Sequence, residues 1–127
     1  EPYIGMSAYG GVVFKLDDSG LHGMVTTLKD VDFVGWDTAV EVCKTYNDGN
    51  YDDWILPSLV ELSEMYNSLG FGSLNGNVGK FADSNYWSSE SSSSGKCNQS
   101  YVFSKTAGYI NCETDNPNLF VRPVRSF

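Results

Sequence analysis

The sequence predicts an α+β domain in the order β-hairpin, two helices, then several short strands with long loops. Three observations predict it. Two β-rich runs flank the turn residues Asp17-Asp18-Ser19-Gly20. Two central segments repeat apolar residues at i, i+3, i+4 and i+7. After Gly70, short aromatic and β-branched runs alternate with glycine, asparagine and serine. The chain has 127 residues, which suits one domain spanning 1–127. Its 41% hydrophobic and 14% aromatic content excludes a disordered chain.

Each element has a local cause. Gly10-Gly11 opens the run Val12-Val13-Phe14-Lys15-Leu16, and residues 24–28 form the returning strand. His22 lies beside the turn and is expected to be structural, because no second histidine or nucleophile accompanies it. Asp37 is the expected N-cap of the first helix, whose buried stripe is Trp36, Ala39, Val40, Cys43 and Tyr46. Asn47-Asp48-Gly49 stops that helix, and Cys43 on its apolar face is expected to be an inert buried thiol. The second helix starts at a capping box, Ser58-Leu59-Val60-Glu61. Pro57 disfavours helical geometry at Leu56, so the helix cannot begin earlier. Leu59, Leu62, Met65, Tyr66 and Leu69 form its core stripe, and Gly70 ends it. Residues 71–83 read as loop and 86–89 as a short strand. Residues 101–104 and 108–111 pair around the turn Lys105-Thr106-Ala107. Residues 119–127 form a last strand, with Pro123 at an edge or bulge.

The net charge of −8 is uneven: residues 1–64 carry twelve acids against three lysines, and 65–127 carry four acids against five bases. An acidic chain without a basic stripe argues against nucleic acid and against anionic membrane surfaces. No apolar run approaches the ~20 residues of a membrane span. No secretory leader is legible, and Glu1-Pro2-Tyr3 is compatible with the start of a processed or trimmed chain. Three cysteines without a CxxC pair, and a single histidine, do not make a structural zinc site. With a turn at 105–108, Tyr101 rather than Cys97 faces Cys112. Two separate thiols are therefore expected, a Cys97–Cys112 disulfide being the alternative.

Several segments in order resemble one family: YGGVVFKLDDSGLHGMV (9–25), WDTAVEVC (36–43), YDDWILPSLVELSEMY (51–66), YWSSE (86–90) and the ending VRPVRSF. They are similar to the bacterial domains typified by the C-terminal domain of collagen-like adhesins. The resemblance implies a C-type-lectin-like fold, related to the formylglycine-generating-enzyme scaffold, with two helices packed on small antiparallel sheets and a loop-rich binding face. Relatives on this scaffold include surface adhesins and the variable proteins of diversity-generating retroelements, which vary asparagine codons near the C-terminus. Residues 84–118 hold nine serines, five asparagines and three tyrosines. This suits a diversified binding surface and equally an ordinary polar loop.

The functional expectation is a non-enzymatic, adhesin- or receptor-type module that binds a protein or glycan on another cell or surface. It would be extracellular, on a cell or virion surface, without cofactor or metal. Tyrosine gives large contact area at low entropic cost, and serine and asparagine give adaptable hydrogen bonds. The candidate contacts are Ser91, Ser93, Asn98, Tyr101, Tyr109, Asn111 and Glu113, whereas Trp36, Trp54, Trp87, Leu62 and Val121 hold the frame. The alternative is an assembly domain, such as a trimerising cap or tip of a fibre, so a homo-oligomer is part of the expectation. An oxidase of the related scaffold would need a closer cysteine pair than 97 and 112. Asp115-Asn116-Pro117-Asn118 only faintly echoes a lectin calcium loop and reads as a turn.

Overall fold

The computed structural model describes residues 1–127. It is an α+β architecture of two helices and two sheets. The strands are β1 (Ser7–Ala8), β2 (Gly11–Leu16), β3 (Gly23–Thr26), β4 (Asp32–Val34), β5 (Ser84–Ser91), β6 (Asn98–Phe103), β7 (Gly108–Glu113), β8 (Leu119–Val121) and β9 (Val124–Ser126). The helices are α1 (Trp36–Thr45) and α2 (Leu59–Leu69). The first sheet runs β1-β2-β3-β9 and is antiparallel throughout. The second runs β4-β8-β5-β6-β7 and is mixed, because β5 and β8 pair in parallel.

The first hairpin and α2 form where local chemistry places them, and α1 begins at Trp36, ahead of its expected cap. In α2, the Ser58 side chain accepts from the Glu61 N–H, and Glu61 Oε1 accepts from the Ser58 N–H at 2.9 Å. All five residues of its stripe are buried, a gross contribution on the order of 10 kcal/mol at ~2 kcal/mol per side chain. Its main core joins the two sheets: Val12, Phe14 and Val124 from one meet Tyr86, Tyr101 and Phe103 from the other. The opposite face of the second sheet packs Trp87, Leu119 and Val121 against Ala39 and Cys43 of α1. A third cluster sets Trp54 against Val13 and Val25. Burial pushes the Cys43 thiol up to about 12, so it is un-ionised at neutral pH.

Three long-range features differ from the local reading. Asp37 does not cap α1. It lies in the first turn, where its charge favours the helix N-terminus, while the Trp36 N–H donates to Asn116 Oδ1 at 2.7 Å. Gly35 permits this contact, since a Cβ there would stand 2.8 Å from the Asn116 amide nitrogen. The residues 119–127 are not one strand. The chain leaves the second sheet after Val121 and enters the first at Val124, with Arg122-Pro123 as the junction.

Both arginines of VRPVR act structurally. Arg122 is fully buried; its guanidinium donates to Asp30 Oδ1 (2.9 Å) and to the carbonyls of Thr27, Gly79 and Lys80. Burial lowers its pKa and the Asp30 charge opposes that shift. The neighbouring Tyr86 hydroxyl, which also donates to Asp30, is pushed well up by burial and then by that carboxylate. Arg125 pairs with Asp53 at 2.6 Å and lies 3.7 Å over the Tyr51 ring.

The third correction concerns the last hairpin. The Ser104 N–H donates to the Ala107 carbonyl, so the turn is 104–107, one residue earlier than expected. This slides the pairing by two residues: Tyr101 faces Ile110 and Gln99 faces Cys112. Cys97, one residue before β6, then reaches its partner, and Cys97–Cys112 is a disulfide rather than two thiols.

Candidate functional site

The serine tract is not a long flexible loop. β5 continues to Ser91, and the chain turns within 92–97, where the Ser92 N–H donates to the Cys97 carbonyl at 2.9 Å and Ser92 Oγ lies 3.2 Å from Ser94 Oγ. The disulfide then ties β6 to β7.

Register divides the β5-β6-β7 half of the second sheet into two faces. Paired residues share a face, and faces alternate along a strand. Asn85, Val102 and Tyr109 are aligned across the three strands, as are Trp87, Ser100 and Asn111. Helix α1 covers this face only at its β8 and β5 side, over Trp87. Beyond it the face is polar except for Val102: Tyr109 and Asn111 are exposed, Asn85, Asn98 and Glu113 half-buried, and Ser100 and Val102 buried beneath them.

Of the seven candidate contacts, Asn98, Tyr109, Asn111 and Glu113 lie on that open face. Ser91 joins them through an Oγ–H bond to Asn98 Oδ1 of 2.9 Å. Ser93 lies at the exposed turn tip, apart from the rest. Tyr101 is the correction: it is 8% exposed and belongs to the core under α2. The pairing of Tyr86 with Tyr101 points both rings at α2, so its strand position puts it on the wrong side for the polar face. Tyr109, one pair away on the opposite face, is 54% exposed.

Glu113 organises the face. Its Oε2 accepts from Ser100 Oγ (2.8 Å), Asn111 Nδ2 (2.9 Å) and Asn85 Nδ2 (3.1 Å). One carboxylate oxygen thereby holds side chains from all three strands. The bonds also orient the amides: Asn111 is left to present its Oδ1 as an acceptor, and Asn98, whose Oδ1 is taken by Ser91, presents its Nδ2 as a donor. Asn85 and Ser100 are members that sequence reading missed. The alternation of β5 against Trp87 could have signalled Asn85, whereas Ser100 needed the register.

The framework tryptophans are fixed by their indole N–H groups. Trp87 donates to the Val34 carbonyl (2.7 Å), Trp36 to that of Ser88 (2.9 Å) and Trp54 to that of Tyr51 (3.2 Å). Trp54, Trp87, Leu62 and Val121 are buried; Trp36 is half-buried.

On the other face, where β7 passes α2, lies an apolar groove of about 370 Å³. It is lined by Leu59, Val60 and Ser63 of the helix and by Tyr101 and Ile110 of the sheet, and Tyr109, on the edge strand, borders both this groove and the polar face. Gly108 forms its end; a Cβ there would stand 2.8 Å from the Tyr101 and Tyr66 rings.

No family model matches the chain, and no curated protein matches it. No three His, Cys, Asp or Glu side chains are grouped so as to hold a metal ion. Asn116, in the segment that echoes a calcium loop, caps α1 instead. His22, the only histidine, is exposed at the first hairpin turn on the other sheet. No helix is long and apolar enough to cross a membrane.

Proposed function

We propose that this chain is a non-enzymatic, adhesin- or receptor-type binding module on a C-type-lectin-like fold, recognising a protein or glycan through the open face of β5-β6-β7. The observation that carries the reading is the Glu113 network. It orients the amides of Asn85 and Asn111 beside the exposed Tyr109 on three paired strands, so little amide side-chain entropy remains to be lost on binding. The donors and acceptors are fixed in place and engaged with one another, an arrangement suited to recognition rather than to proton transfer. A disulfide at the edge of this sheet supports an oxidising, extracellular setting at a cell or virion surface. The two helices, the two sheets and the V-R-P-V-R junction are compatible with the fold that the collagen-like-adhesin resemblance implies. If a retroelement diversifies the face, it would vary Asn85, Asn98 and Asn111 and spare Asn116, which caps α1.

The test is binding of the wild-type domain to glycan arrays and intact cells, beside a triple variant, Asn98→Ala/Tyr109→Ala/Asn111→Ala. The expected result is at least a tenfold loss of binding with Tm held within about 6 °C, since surface substitutions shift stability by no more than ~0.5 kcal/mol each. Full binding by the triple variant would remove the proposal.

A further inference from the structure

Sheet edges are where a folded chain offers unpaired backbone groups, and proteins normally keep such edges short or blocked. Three of the four edges here follow that rule. β1 has two residues, β4 has three and begins with Asp32, and β9 has three and is bridged by Ile55 to Val124. β7 is the exception: six residues, no proline, no lysine, with Tyr109 and Ile110 each 54% exposed.

The phase of its ladder is known. The Ser104–Ala107 backbone bond closes the hairpin, and in an antiparallel pair bonded and non-bonded positions alternate. Val102/Tyr109, Ser100/Asn111 and Asn98/Glu113 are therefore the bonded pairs. Gly108, Ile110 and Cys112 turn their N–H and C=O groups outward, to the open edge. The Cys97–Cys112 disulfide holds that edge straight against β6.

Beside it lies the apolar groove. A side chain opposite Ile110 on an added strand would enter between Ile110 and Val60, which is 67% exposed on the flank of α2. The charge around it is polarised. Ser91, Asn98 and Glu113 share one end of the sheet. Glu90 is held at that end by the Leu59 N–H, and Glu61 by the Ser58 N–H. Asp115 lies two residues after Glu113; Lys96 lies in the turn at that end, and Lys44 stands near Ser89 on the α1 side. The hairpin end carries Lys105.

We propose that the β7 edge takes an extended peptide segment of another protein as a sixth strand, with an apolar residue opposite Ile110 and basic residues running past Glu113 and Asp115. Backbone bonds to Gly108, Ile110 and Cys112 supply the attachment, and the groove and the acidic end supply selectivity. A second copy fits this edge less well. Pairing β7 with itself through the three outward residues sets Ile110 on Ile110 and brings the acidic N-termini of both α2 helices to the same sheet, each copy carrying −8. The edge site meets the polar face at Tyr109 and Glu113 and otherwise lies on the opposite side of the sheet.

The experiment pans phage-displayed random dodecapeptides on the wild-type domain and follows the enriched peptides by fluorescence anisotropy and by amide exchange. In the free domain, the amides of Ile110 and Cys112 should exchange fast and those of Tyr109 and Asn111 slowly. An enriched peptide should alternate apolar residues, carry Lys or Arg at one end, and slow exchange at 110 and 112 at least tenfold. Ile110→Pro removes an outward N–H that the β6 ladder does not use, and Val60→Lys puts like charge at the groove. Each should weaken the peptide at least tenfold, while Asn98→Ala, which removes a side-chain bond to Ser91 and none to Glu113, leaves it unchanged, which separates this site from the polar face. No enrichment, or peptides that leave the exchange of 110 and 112 untouched, overturns the proposal. A concentration-dependent dimer that Ile110→Pro abolishes would also overturn it by making a second copy the occupant.

Discussion

Replacing Arg122 by methionine should cost the domain a large share of a typical stability margin of ~5–15 kcal/mol. The guanidinium is fully buried between the two sheets and donates to Asp30 Oδ1 at 2.9 Å, Thr27 O at 3.0 Å, Gly79 O at 2.8 Å and Lys80 O at 3.2 Å. It also stacks 4.3 Å over the Phe81 ring. Methionine fills much of the volume but donates nothing. Each buried acceptor left unpaired costs ~1–3 kcal/mol, and losing one partner of a buried ion pair costs ~3–5 kcal/mol. The Asp30 side chain is 22% exposed and can rehydrate, so the three carbonyls dominate, and toward the low end of their range they sum to about 4 kcal/mol. An unfolding entropy of ~2.1 cal/mol/K per residue gives roughly 0.27 kcal/mol/K for this chain, so Tm should fall by about 15 °C. Calorimetry and urea titration followed by circular dichroism read both quantities. Arg122→Lys keeps the charge but not the planar fork, and should lie midway. If Arg122→Met falls within about 1 kcal/mol of wild type, a level ordinary for surface changes, the carbonyl cluster does not hold the sheets together and the reasoning fails.

Two other outcomes follow from the same coordinates. Opening Cys97–Cys112 by Cys97→Ser/Cys112→Ser releases a link fifteen residues long in sequence and should cost ~3 kcal/mol in urea unfolding. An unchanged midpoint would mean the β6-β7 hairpin is held by its ladder alone. Stability should also fall on the acid side. Asp53 is held below the ordinary carboxylate range chiefly by its bond from Arg125, Asp17 by the Ser19 hydroxyl, and Asp48 by the N–H groups of Asn50 and Tyr51. These groups are depressed in the folded state, so their contribution is complete above ~4 and is lost as pH falls through their lower folded values. Urea midpoints from pH 7 to pH 2 should show the decline, and Asp53→Asn should flatten part of it; a midpoint independent of pH would contradict the assignment.

Much of the fold is legible because its causes are local. The capping box of Ser58 and Glu61, the stripe of α2, and the turn at 17–20 each involve residues within a few positions of one another, and all stand where periodicity and turn chemistry put them. The candidate face is legible only in outline. Composition located it in residues 84–118, and four of the seven proposed contacts lie directly on its open surface. Composition cannot say which side of a strand a residue faces. Tyr101 and Tyr109 are chemically alike, yet one is core and the other exposed, because strand parity and the placement of α2 decide it. A turn displaced by one residue moves cross-strand partners by two, and that shift alone converts Cys97 and Cys112 from separate thiols into a bridge.

The sequence by itself determined the helices, the first hairpin and the polar, aromatic character of the last third, since these follow from interactions between near neighbours in the chain. Tertiary structure decided the rest: Asn116 capping a helix eighty positions away, Arg122 splitting the final strand between two sheets, and Glu113 drawing Asn85, Ser100 and Asn111 together. The physical reason is that a buried polar atom must find a partner wherever the packed chain supplies one. No periodicity in the sequence records which residue that will be.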